Sequence, residues 1–226
     1  MQARSRYLSM QSVLIEAAVD SLAAALAAEA EGAGRLELCA ELDAGGLTPD
    51  ASLQREVLAR CRIPVFVMVR PRAGSFAYAG AEVERMLRDA AQARAVGAAG
   101  IVTGALAGES IDEPALDALM AAAGGLPVTF HRAFDRCADP AGALEVLVSR
   151  GVGRVLTSGG APSAAQGAAA IARLVRQSAG RIGVLPGGNV TGENAARILA
   201  ETGAVELHAR CEPDGLRIRG IVAALA

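Results

Sequence analysis

The chain holds only two histidines, His131 and His208, and each stands where an apolar strand pattern turns polar. His131 lies in LPVTFHRAFD over 126–135, with Arg132 beside it and Asp135 in the loop beyond. His208 lies in AVELHAR over 204–210, two residues after Glu206. Glu16 in VLIEAAV and Glu37 in RLELCA occupy the same kind of position. Carboxylates and imidazoles can exchange protons with a bound molecule, so Glu16, Glu37, His131 and His208 form the candidate catalytic set. Arg70 and Arg132 add fixed positive charge in the planar form that clamps carboxylates and phosphates. Asp135 is placed to orient either His131 or Arg132. The chain contains no lysine, all 22 basic residues being arginine. A Schiff base needs a lysine amine, so that chemistry is excluded for both carbonyl substrates and pyridoxal phosphate.

Two glycine pairs extend the anion theme. LPGGNVTGEN over 185–194 and TSGGAPS over 157–163 each follow a strand pattern. Backbone N–H groups at Gly187 and Gly188, and the turn carrying Ser158, are candidates to approach an anion. Tight connections need glycine anyway, so the turn reading stands beside the anion reading. Neither GxGxxG nor GxxxxGK[ST] occurs, and no nucleotide cofactor is expected.

Chemistry on strands requires a scaffold that gathers strand ends. Short β-branched runs bounded by Gly or Pro alternate with amphipathic stretches in eight units. The strands are predicted near 13–19, 35–40, 64–71, 100–104, 127–133, 154–160, 181–188 and 204–210, each followed by a helix. Asp20-Ser21, Thr191 and Asp139-Pro140 mark helix starts, and Gly32, Gly97, Gly151 and Gly203 mark ends. Eight such units in one α/β domain predict a (β/α)8 TIM barrel over 13–226, preceded by a flexible extension over 1–12. An open doubly wound sheet is the competitor, but the first turn, VDSLAAA, lacks its glycines. In a barrel, chemistry sits at the C-terminal strand ends, and alternate side chains point inward. This parity aims Glu16, Arg35, Glu37, Cys39, Arg70, Thr129, His131, Glu206 and His208 into a shared interior. Arginine–carboxylate pairing is expected there. A purely structural ion-pair network is the alternative for the acids.

Composition bounds the partners. With 226 residues, 24 acidic against 22 basic side chains and 3% aromatics, neither nucleic acid nor an anionic membrane is an expected partner. No apolar run is long enough to span a bilayer. Four cysteines without a CxxC pair read as reduced thiols in a cytoplasm. Cys39 is the candidate metal ligand, since thiolates suit Cu(I) or Zn(II), with His208 and Cys211 on strands close enough to approach it. A buried cysteine acting as a small hydrophobe is the alternative.

Several long motifs, in fixed order, resemble the CutC family. They are VDS at 19–21, GAGRLELCAELDAGGLTP at 32–49, IPVFVMVRPRAGSFAY at 63–78, LPVTFHRAFD at 126–135, RVLTSGG at 154–160, GRIGVLPGGNVT at 180–191 and ELHAR at 206–210. The resemblance implies a single TIM barrel, a cytoplasmic location and copper homeostasis. It also implies Cu(I) binding through two cysteines. One matches Cys39; the other falls at position 18, where this chain has Ala18. Two functions follow as expectations. One is a copper homeostasis protein with Cu(I) at Cys39. The other is an isomerase- or lyase-type enzyme acting on a small anionic or phosphorylated metabolite. Alanine-rich helix faces admit a homodimer.

Overall fold

The computed structural model describes residues 13–226, so the expected extension over 1–12 lies outside the described residues. Ten strands appear in chain order: β1 (Leu14–Val19), β2 (Arg35–Leu38), β3 (Val65–Met68), β4 (Gly100–Thr103), β5 (Leu106–Ala107), β6 (Ser110–Ile111), β7 (Val128–Phe130), β8 (Arg154–Thr157), β9 (Gly183–Pro186) and β10 (Glu206–Arg210). Eight of them form one sheet in the order β10-β1-β2-β3-β4-β7-β8-β9, with β5 and β6 a separate hairpin. Every ladder in the large sheet is parallel. The helices between them are α1 (Leu22–Ala30), α2 (Ala51–Arg60), α3 (Gly80–Ala95), α4 (Glu113–Ala123), α5 (Pro140–Ser149), α6 (Ala168–Ser178), α7 (Ala195–Thr202) and α8 (Leu216–Leu225).

The result is the expected TIM barrel, nearly closed. Among the described residues no ladder joins β9 to β10. The two ends meet through side chains: a Cβ placed on Gly187, just past β9, would lie 3.3 Å from His208 Cβ on β10. Closure makes β10, β1 and β2 neighbours. Glu16 stands in register with both His208 and Arg35, and Ala18 with both Glu37 and Arg210.

The period-two alternation holds. Leu36, Leu38, Val65, Val67, Val128, Phe130 and Leu207 are all buried under the helices, as expected for strands covered on both faces. Their alternates fill the barrel. The lower interior is ionic: Glu206 accepts from Arg35 Nη2 at 2.6 Å and from Arg154 Nε at 2.8 Å. Both guanidinium groups lie over the Phe66 ring, at 5.4 and 5.5 Å from its centroid. Glycine is required opposite, because a Cβ on Gly100 would sit 2.5 Å from that ring.

Local signals fixed most helix ends. Ser21, Asp50, Asp112 and Asp139 accept from backbone N–H groups at the starts of α1, α2, α4 and α5. Two helix starts differ from expectation. The helix expected from Ser163 to Gln177 opens only at Ala168, because Ser163 first makes a turn in which Gln166 N donates to its Oγ. Thr191 does not cap α7; its own N–H donates to Asn194 Oδ1, and α7 opens at Ala195. The β5–β6 hairpin and single 3₁₀ turns over Leu42–Ala44 and Arg132–Arg136 are additions to the expected plan.

Candidate functional site

A cavity of about 440 Å³ opens at the C-terminal strand ends. Glu37, Met68, Arg70, His131, Arg132, Gly188 and His208 border it, with Arg210 and Arg217 at its rim. β2, β3, β7 and β10 therefore bring four expected site residues to one space, as the parity reading requires.

The floor is a relay of acids around one imidazole. Glu16 is fully buried and accepts from Arg35 Nε on one oxygen, while His208 Nδ1 lies 2.8 Å from the other. His208 Nε2 faces Glu37, 3.8 Å from its Oε2. Burial alone would raise Glu16, but the bonds from His208 and Arg35 outweigh it and hold this carboxyl at about 2. At Glu37 the balance goes the other way, because the lowering pull of His208, the Cys39 thiol and Arg35 does not offset burial. Burial, reinforced by the neighbouring Glu16 charge, pushes its carboxyl above the usual range. Its Oε1 is buried with no hydrogen-bond partner. Burial opposes charge on His208 too, yet the two flanking carboxylates outweigh it and lift the imidazole above its ordinary value. Glu16 itself does not border the cavity; it fixes the tautomer and orientation of His208 from beneath.

His131 occupies a different environment. It follows β7 as the cap of a 3₁₀ turn, and its Nδ1 accepts from Ala133 N at 3.2 Å. The Phe76 ring lies 5.0 Å away, and Gly104 packs against its other edge, where a Cβ would be 2.6 Å from Nδ1. Burial, and then the nearby Arg70 guanidinium, lower its pKa to about 3. Proton exchange is expected at both histidines from the sequence. In this surrounding His131 instead stays neutral.

The arginines divide in the same way. Arg35 and Arg154, not Arg70, make the buried carboxylate pairs. Arg70 turns its Nη1 to the carbonyls of Ala44, Gly45 and Gly46, at 3.0–3.3 Å, and rests on the Phe76 ring. Arg132 reaches across the rim to Ser158 Oγ at 2.9 Å and donates through Nε to Asp135 Oδ2 at 2.8 Å. Asp135 thus orients Arg132 and not His131.

At two of the expected anion contacts the N–H groups are already bonded within the chain. The Gly187 N–H donates to the Thr157 carbonyl at 2.9 Å, so it is spent on the backbone. Gly187 is there for space: a Cβ would lie 2.6 Å from Leu156 Cδ1. Gly188, with φ at 104°, does border the cavity. In the turn at 157–160, Ser158 N and Gly160 N both donate to the Asp135 carboxylate. The anion in that turn is the protein's own. Ser158, fully buried and bonded to Asp135, Ala161 and Arg132, braces the rim without bordering the cavity.

The cysteines separate. Cys211 Sγ faces the Ala24 carbonyl on α1, outside the barrel, at 3.7 Å. Cys39 lies inside, 3.5 Å from Glu37 Oε2, in a buried cluster with Phe66, Met68 and Val102. Burial and the Glu37 charge hold its thiol well above its ordinary value, so it is neutral here. Ala18, also buried, offers no second thiol. The residues present do not make a two-thiolate copper seat.

Some contributors were not singled out as site residues. Arg154 and Arg210 obey the same parity as the residues around them, two before Leu156 and two after His208, and alternation would have found them. Phe76 had no signal, being a loop residue placed by tertiary contact alone.

Comparison with known proteins agrees with this architecture. A family model described as "CutC family" matches residues 13–212. A CutC family protein of Xanthomonas axonopodis pv. citri is 48% identical over 211 residues, covering 93% of this chain and 85% of that one. A human protein named as a copper homeostasis protein cutC homolog is 48% identical over 196 residues, covering 86% and 72%. The crystal structure of a Streptococcus agalactiae copper homeostasis protein CutC superposes with a TM-score of 0.83 at 33% identity, over 87% of this chain and 97% of that one. With the barrel, the ordered motifs and these matches together, the chain belongs to the CutC family.

Proposed function

We propose that the barrel mouth is the active site of an acid–base enzyme, of isomerase or lyase type, acting on a small anionic or phosphorylated metabolite. One observation carries this reading. Glu37 borders the cavity with a buried, unpartnered carboxylate oxygen, next to His208 and beneath arginines. An unsatisfied buried acceptor is costly, and a substrate that hydrogen-bonds to it would remove the cost. In this reading Glu37 and His208 exchange protons with the substrate, and Glu16 holds His208 in place. Arg132, braced by Asp135 and Ser158, meets the anionic group with Arg70 and the Gly188 backbone near it. A positively lined mouth also favours an anion over a cation. A thermal-shift screen of sugar phosphates and small carboxylates tests the reading. At least one compound should stabilise the protein, and Arg132→Gln should remove that shift. If the whole panel leaves the melting temperature unchanged, the reading fails.

A second reading follows the name that the human and streptococcal relatives carry, with copper as cargo. Cu(I) favours soft sulfur ligands. Cys39 and Met68 are adjacent inside the barrel, since a side-chain carbon at Gly46 would lie 3.0 Å from Cys39 Sγ and 3.4 Å from Met68 Cε. A thiol and a thioether would then replace the two-thiolate pair. The neutral state of the Cys39 thiol counts against this reading, and it ranks second. Competition against a Cu(I) chelator decides it: Cys39→Ser and Met68→Leu should each weaken Cu(I) uptake, and unchanged affinity in both removes the site. A cytoplasmic location and a homodimer belong to the same proposal. Support for the first is that all four cysteines are free.

A further inference from the structure

The neutral histidine narrows the chemistry. Nδ1 of His131 accepts a backbone N–H, so the ring's proton resides on Nε2. That Nε2 is buried and meets no protein acceptor, in a side chain that borders the cavity. A fixed N–H donor without a partner suits an oxygen that gains negative charge during reaction, and such donors need no reorganisation when the charge develops. Its surroundings keep it in that form. Phe76 covers the ring, Gly104 packs against its edge, and Arg70, resting on Phe76, disfavours a second proton on it.

Building on the acid–base reading above, we infer that the substrate is a carbonyl compound, enolised between Glu37 as base and the His131 Nε2–H as hydrogen-bond donor to the carbonyl oxygen. The step balances without any co-reactant. The C–H bond on the carbon next to the carbonyl breaks, and its proton goes to the Glu37 carboxylate. The electron pair moves into a new C=C bond, and the carbonyl oxygen takes up the negative charge at His131. Return of the proton to the same carbon exchanges it with solvent; in a hydroxycarbonyl, return to the former carbonyl carbon, with the neighbouring hydroxyl proton passing directly to the oxyanion, gives the isomer. His131 donates a hydrogen bond throughout and never transfers its proton. It titrates near 3, too low to be a base in ordinary buffers and consistent with a neutral donor.

Two measurements test this on the full chain. The first is ¹⁵N NMR of the histidine rings between pH 5 and 8. A neutral Nε2–H tautomer at His131 is expected, and an imidazolium or an Nδ1–H tautomer would overturn the inference before any substrate is known. The second incubates the protein in D₂O with dihydroxyacetone phosphate, ribose 5-phosphate, pyruvate and 2-oxoglutarate, following α-proton exchange by ¹H NMR. Exchange is expected with at least one compound that also gives a thermal shift. Glu37→Gln should abolish it. His131→Phe should lower kcat by roughly 10²–10³-fold with little change in KM, the range seen for loss of one oxyanion donor. His131→Gln, which keeps an N–H, should recover part of that loss. Equal effects of Phe and Gln on kcat, or an effect on KM alone, would reduce His131 to a structural role. If carbonyl compounds bind without exchange, this inference fails while the acid–base reading survives. If none of the wider panel binds, both fall.

Discussion

The two histidines of this chain occupy opposite electrostatic settings in one cavity. His208, on β10, stands between Glu16 and Glu37, and its imidazole is held above its ordinary pKa. His131, beyond β7, has an aromatic ring and a guanidinium for neighbours, and its pKa falls to about 3. Both are removed from water, so burial pushes both down; the sign of the nearest charge decides the outcome. One side of the barrel thus favours the charged imidazole, and the other the neutral one.

The largest break in this contrast comes from the acid beneath His208. Glu16→Ala leaves Arg35 with only Glu206 and frees His208. A loss of about 3–5 kcal/mol in urea unfolding is expected, as for one member of a buried pair. Adding Arg35→Met should recover part of it. Strictly additive losses would mean that the two residues are not coupled.

Crowding His131 comes next. Gly104→Ala puts a methyl carbon 2.6 Å from Nδ1 and should cost about 1–3 kcal/mol. The same variant should shift the His131 ¹⁵N resonances and leave those of His208 in place. Movement of both sets would show that the two halves are not independent.

The pH dependence of stability separates the histidines by sign. The folded chain refuses a proton at His131 that the unfolded chain takes up, so this residue lowers stability as pH falls from about 6.5 toward 3. Glu16, held at about 2, adds to the same acid limb as pH drops below 4.5. His208 does the reverse: its contribution is full below its unfolded value and fades as pH rises through its elevated folded one. Denaturant titrations from pH 4 to 9 should therefore show His131→Asn flattening the acid limb and His208→Asn the alkaline one. Interchanged effects would refute the assignment.

A smaller change is expected from Arg70→Met. Removing that charge should raise the His131 pKa, yet leave it below 6.5 because burial is the larger cause. NMR titration reads this directly. The smallest effect marks the outer shell: Arg85→Ala, breaking a partly exposed pair with Asp89 at 3.7 Å, should cost no more than about 1 kcal/mol in the same assay.

Much of the scaffold was legible because barrel strands are short and alternate strictly. Glu16, Glu37, His131 and His208 point inward for the same reason that Leu36, Val65 and Phe130 point outward. Helix starts at Ser21 and Asp139 were legible because their caps are local. Thr191 was misread because Asn194, three residues on, took its N–H. The N–H groups of Gly187, Ser158 and Gly160 find partners at longer range, in the Thr157 carbonyl and the Asp135 carboxylate. The arginine–carboxylate pairing expected inside the barrel falls to Arg35 and Arg154, while Arg70 turns to backbone carbonyls.

The sequence by itself determined the period of the strands, the eightfold alternation and the family, since each is written in residues close along the chain. It also excluded lysine chemistry. Only the tertiary structure decided which histidine is pushed toward charge, which arginine pairs with which acid, and which glycine N–H groups are spent. Those outcomes depend on Coulomb interactions and hydrogen bonds between residues up to 192 positions apart, such as Glu16 and His208, and such contacts exist only once the barrel has closed.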